Sequence, residues 1–175
     1  MNNKTIAILL ALTKWPLAIG FFAFLPSATV FLFRQLYSLV ISGHYLWPLI
    51  FGFTGYCILW FTVIRRTSIS WLSTLEHEFT HCIFAWLTLN KVTAIKATLR
   101  SGGHMSYEGT PNWLIMVSPY FFPTVSVLLL VSIAFISPNW THVAYIALGV
   151  SIAYHIASTW TETHHLQTDL QRAGC

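Results

Sequence analysis

The sequence predicts an all-α polytopic membrane protein of about five transmembrane helices, with a short β-hairpin between the third and fourth. Two observations predict it. Hydrophobic residues make up 55% of the 175-residue chain and charged residues only 8%, with a mean hydropathy of +0.64. A water-facing globular surface needs about a quarter of its residues charged, so lipid must solvate much of this one. The apolar residues also come in runs close to the ~20 residues that a helix needs to cross the hydrocarbon.

Residues 5–33 are apolar apart from Lys14, with Pro16 and Pro26 as expected kinks. The basic start fits a signal peptide, but the apolar run is too long, Lys14 and Pro16 interrupt it, and no cleavage site precedes Arg34. It reads as a retained span, either one long helix or a helix followed by an interfacial segment over residues 34–41. Residues 45–64 form a clean second span. Residues 68–89 form a third, which carries Glu76, His77, Glu78 and His81. Residues 90–112 are the longest polar interval. There Val92, Ala94, Ile95 and Ala97 precede a Ser-Gly-Gly turn, and Met105 and Tyr107 follow it, which reads as a β-hairpin. An open hairpin in lipid would leave edge groups unpaired. The hairpin therefore lies at the interface or in a protein-lined cavity.

Residues 113–136 form the fourth span. Its prolines, Pro119 and Pro123, bend or locally unwind it. That break either serves packing or opens space beside the polar motif. Residues 143–160 form the fifth span, with His155 inside it. The chain divides into N-terminal helices (1–66) and a core (67–175) within a single compact membrane domain. It shows no repeats, no low-complexity segment and no domain linker.

The net charge of +4 does not point to nucleic acid. Lys4, Arg65, Arg66, Lys91 and Arg172 sit at span ends, where membrane anchors belong. The expected partner is the lipid bilayer. Cys57, Cys82 and Cys175 are odd in number and lack a CxxC pair, so they form neither a disulfide framework nor a thiolate metal site.

The chemistry concentrates in His77-Glu78-Phe79-Thr80-His81, an HExxH pattern. Residues four apart share one helix face, so two imidazoles can converge on one ion. Glu78 projects beside that ion, where it can take a proton from a water whose pKa zinc lowers to about 7. A helix begun at Thr67 puts His77 about 15 Å along it, near mid-membrane. Two histidines and a glutamate at that depth are costly unless used. A catalytic zinc site needs a third protein ligand and one open position. His155, Glu162, His165 and Asp169 form a single stripe if the last helix continues past its span. The acidic candidates in it are Asp169 and Glu162, and the imidazole candidates are His155, His164 and His165. His44 and His142 sit at span ends and receive no role.

These features together resemble the site-2 protease class of intramembrane zinc proteases, in its small form without a PDZ insert. The resemblance rests on Glu76-His77-Glu78-Phe79-Thr80-His81 within a span, on Gly102-Gly103-His104-Met105-Ser106-Tyr107, on the proline-broken span and on the late Thr168-Asp169, and covers residues 67–175. It implies one zinc per chain held by His77, His81 and Asp169, with Glu78 as general base. It also implies a hairpin that receives substrate as an extended strand at Gly102, Gly103 and His104, and a membrane protein as that substrate. The expected setting is a bacterial or archaeal cell membrane, with the hairpin on the cytoplasmic side. One departure is that Asp169 lacks the adjacent Gly of the family's third motif, which keeps Glu162 open as an alternative third ligand. A glutamate in that role would resemble the membrane zincins related to CAAX-processing enzymes.

Two other functions compete. A membrane di-iron oxygenase or desaturase needs several histidine boxes, of which His164-His165 is at most a fragment. A non-enzymatic zinc-binding membrane protein would have no use for Glu78.

Overall fold

The computed structural model describes residues 2–43, 45–66, 71–98, 102–163 and 169, save the side chains at 32, 35, 36, 38–40 and 42. The first helix, α1 (Asn3–Ser42), is one continuous helix of 40 residues. That is about 60 Å at 1.5 Å per residue, twice the ~30 Å hydrocarbon core. The interfacial stretch is thus a continuation of the first helix. Pro16 and Pro26 lie inside it without ending it. Phe21, Phe22 and Phe24 are each more than 70% exposed, as aromatic side chains on a lipid-facing helix are. Near its start α1 is tied to the rest: Trp113 Nε1 donates to the Leu10 carbonyl at 2.9 Å.

The second helix, α2 (Leu46–Thr62), packs closely along the last, α6 (Thr141–Glu162). A side chain on Gly52 would overlap the Ile146 carbonyl, and one on Gly149 would overlap the Leu49 carbonyl. Without a hydrophobic driving force inside lipid, such backbone contact is a main source of helix association.

Between these two helices in sequence come α3 (Trp71–Leu87), the hairpin strands β1 (Lys91–Ala97) and β2 (Gly103–Glu108), and the helices α4 (Trp113–Phe121) and α5 (Thr124–Ile133). The expected hairpin is present: β1 and β2 pair antiparallel, Lys91 opposite Glu108 and Ala97 opposite Gly103, with an irregularity between Val92 and Ala94. Thr98 closes it, donating from its N–H and its hydroxyl to the Gly102 carbonyl at 3.0 and 2.7 Å. Gly102 there has φ +78°, which a side chain would disfavour.

At the hairpin's base Asn90 is 2% exposed. Its Oδ1 accepts from Thr110 N–H at 2.8 Å and its Nδ2 donates to Thr88 Oγ1 at 2.9 Å. Asn112 Oδ1 caps α4 by accepting from Ile115 N–H at 3.1 Å. The buried core of Cys82, Phe84, Ala85, Met105 and Ile115 joins α3, the hairpin and α4, which fixes the hairpin against the motif helix.

Among the described residues three helices are long and apolar enough to cross a membrane, or four if α4 and α5 make one bent span. The proline-broken span bends by 66°. The expected third span is not confirmed, and residues 67–70 at its start lie outside the described residues. Its described helix, α3, has 17 residues, about 25 Å long, and its buried residues include His77, Glu78 and His81. It is sheathed by the hairpin, α4 and α5 rather than by lipid alone.

Candidate metal centre

His77 and His81 stand one turn apart on α3, with ring centroids 4.8 Å apart. Each ring is braced through Nδ1. His81 Nδ1 lies 2.6 Å from the Ile115 carbonyl. A carbonyl only accepts, so Nδ1 carries the proton and Nε2 keeps its lone pair. His77 Nδ1 lies 2.9 Å from Glu162 Oε2. Its Nε2 is buried and has no hydrogen-bond partner.

Both Nε2 atoms face Asp169. Its Oδ2 is 3.5 Å from that of His77 and 3.4 Å from that of His81. Among the described residues these three side chains form a single cluster of potential ligands, with donor atoms within 4.8 Å of one another. A tetrahedral zinc ion with donors at about 2.0–2.2 Å separates neighbouring donors by about 3.3–3.6 Å. The two histidine–aspartate spacings and the orphaned Nε2 of His77 therefore both fit a metal.

The continuous helix expected to carry the stripe to Asp169 does not form. The last helix ends at Glu162, and Thr163 turns to extended backbone at φ −81°, ψ 97°. His164, His165 and Thr168 lie outside the described residues. Asp169 reaches the histidines from beyond the helix end, and Glu162 meets His77 from the end itself. The half-buried His155 lies apart from the cluster. It borders a small polar cavity on the other side of His77, together with Ser73, Glu76, Thr80 and Glu162.

Glu78 is 8% exposed. It opens with His77, His81 and Asp169 onto a cavity of about 390 Å³, which Gly102, Gly103, His104 and Glu162 also border. A Cβ on Gly103 would come within 2.6 Å of Glu78 Cγ, so β2 runs directly over the acid. Met105 packs with Cys82 and Ile115. Gly103 and Met105 thus face α3, and His104 between them is exposed.

Sequence reasoning missed three participants. Ser73 donates to Glu162 Oε1 and sits four residues before His77, a spacing that could have revealed it. Tyr120 meets the His77 ring edge-on at 5.3 Å. The Ile115 contribution is a backbone carbonyl, which no side-chain pattern announces.

Helices long and apolar enough to cross a membrane thus accompany a His–His–carboxylate cluster of potential metal ligands, with a buried glutamate beside it. The chain belongs to the Peptidase M50B-like family, whose model matches residues 49–168. Membership points to a membrane metalloprotease and agrees with the likeness drawn from the motifs. The family is generally zinc-dependent. Searches of curated proteins and of solved structures return no significant match.

Proposed function

We propose that this chain is an intramembrane zinc endopeptidase that hydrolyses a peptide bond in or near the transmembrane segment of a membrane-protein substrate. The observation that carries the reading is the donor trio of buried His77 and His81 with half-buried Asp169, opening with Glu78 onto one cavity.

His77, His81 and Asp169 would hold the ion. Zinc bound there supplies a Lewis acid for the scissile carbonyl and lowers the pKa of water to about 7. Glu78 takes the proton from the attacking water and hands it to the leaving amine. The cavity gives water a place at the site, and burial of Glu78 strengthens its electrostatic action there.

A helical peptide bond is shielded by its own hydrogen bonds, so the substrate must unwind before attack. β1 pairs with one edge of β2. The other edge offers its N–H and C=O groups to a substrate strand, as in β-strand addition. Gly102 and Gly103 keep that stretch free of side chains, and His104 adds a polar contact.

The test is cleavage of a membrane-protein substrate by purified wild type, Glu78→Gln and Glu78→Ala, with zinc content measured in parallel. Both variants should keep zinc and lose cleavage by at least about a hundredfold. Full cleavage by zinc-loaded Glu78→Ala would sink the proposal, and so would a wild-type chain that takes up no zinc.

A further inference from the structure

We propose that Glu162 is a positioning residue for the metal centre: it fixes the tautomer and ring orientation of His77 and does not itself ligate. This deepens the zinc-site reading and rests on it.

Both Glu162 oxygens are engaged on the side of the ring away from Asp169. Oε2 accepts from His77 Nδ1 at 2.9 Å, and Oε1 accepts from the Ser73 hydroxyl. Ser73 and His77 are one turn apart on α3, so the carboxylate is pinned by two groups of a single helix face. With Nδ1 protonated, the lone pair must reside on Nε2. That nitrogen is buried, lacks a hydrogen-bond partner and lies 3.5 Å from Asp169 Oδ2.

The placement of Glu162 has an electrostatic cost that local structure does not offset. It is the last residue of α6, where the helix macrodipole disfavours an anion. Its compensation comes across the helix interface, from Ser73 and His77. The two imidazoles are thereby braced unequally. His81 donates to a neutral carbonyl, and His77 donates to a carboxylate, which makes its Nε2 the stronger donor to a metal.

The experiment measures zinc affinity by chelator competition, and the visible spectrum of the cobalt(II)-substituted chain, for the full chain in detergent. Variants are Glu162→Ala, Glu162→Gln, Ser73→Ala and Asp169→Asn. Glu162→Ala should weaken zinc binding about 10–100-fold, the usual cost of losing an outer hydrogen-bond partner. Glu162→Gln, whose amide oxygen can still accept from Nδ1, should lose less, and Ser73→Ala least. The cobalt band should keep its wild-type shape in all three and change in Asp169→Asn.

Wild-type affinity in folded Glu162→Ala would overturn the proposal. A cobalt band altered in Glu162→Gln as it is in Asp169→Asn would overturn it in favour of direct ligation. If the alanine variant fails to fold, the near-isosteric glutamine variant decides by the same two readouts. Failure of wild type to bind either metal would instead overturn the site reading beneath it.

Discussion

Gly103 stands where any side chain would strike Glu78. A Cβ at that position would fall 2.7 Å from the carboxylate Oε1 and 2.5 Å from Thr74 Cγ2. The hairpin strand and the acid share one space, and glycine is what lets both occupy it.

Gly103→Ala should therefore displace the Glu78 carboxylate while leaving His77, His81 and Asp169 in place. Misplacement of a reacting group by about 1 Å costs on the order of a hundredfold in rate. Cleavage is expected to fall by about that factor with zinc content unchanged. The check is turnover per bound zinc. A wild-type rate per zinc would mean that the carboxylate has slack the structure does not contain.

Asp169→Asn removes the anionic donor shared by both Nε2 atoms. Loss of an outer partner alone weakens metal binding by about 10–100-fold, so loss of this group should exceed a hundredfold. Chelator competition measures it directly. The variant should lose zinc and cleavage together, in contrast to Glu78→Gln, which should lose cleavage alone.

Much of the site was legible because it is local. His77, Glu78 and His81 lie within one turn of helix, and the i, i+4 rule needs no tertiary information. The hairpin was legible for the same reason, through alternating residues around a Ser-Gly-Gly turn. A helix assumed to run on from His155 made Asp169 and Glu162 candidates alike, and the family resemblance chose Asp169. The helix stops at Glu162, yet Asp169 still faces both histidines. The brace on His81 was invisible because Ile115 contributes backbone, not side chain. The five-span count is not confirmed at α3: the described helix has 17 residues, and one face of it packs against the hairpin, α4 and α5 while Leu72, Trp86 and Leu87 stay exposed.

Glu76, beside the motif, should matter for the break between α4 and α5. Its Oε1 accepts from Val125 N–H at 3.2 Å, in the first turn of α5. Next to it the hydroxyls of Thr80 and Thr124 are 2.5 Å apart. First-turn N–H groups have no partner inside their own helix, and at membrane depth water is scarce. Glu76→Ala is expected to cost about 1–2 kcal/mol, as the loss of a helix cap does. Glu76→Gln, which keeps an acceptor, should cost less. Thermal unfolding of the metal-free chain in detergent would show both, and equal melting temperatures for wild type and alanine would rule the contact out as a cap.

Glu162 follows His77 by 85 residues, and Asp169 comes later still. The donor cluster is therefore completed by closure of a loop of about half the chain. A nascent polypeptide that has laid down α1 through α5 has its two imidazoles but neither the carboxylate that braces one of them nor the one that faces both. The loop-closure entropy is offset only when α6 zips along α2 through Gly52 and Gly149. Along the chain both carboxylates come after the two imidazoles, so the packing of α6 on α2 is what carries Glu162 back to a ring laid down on α3.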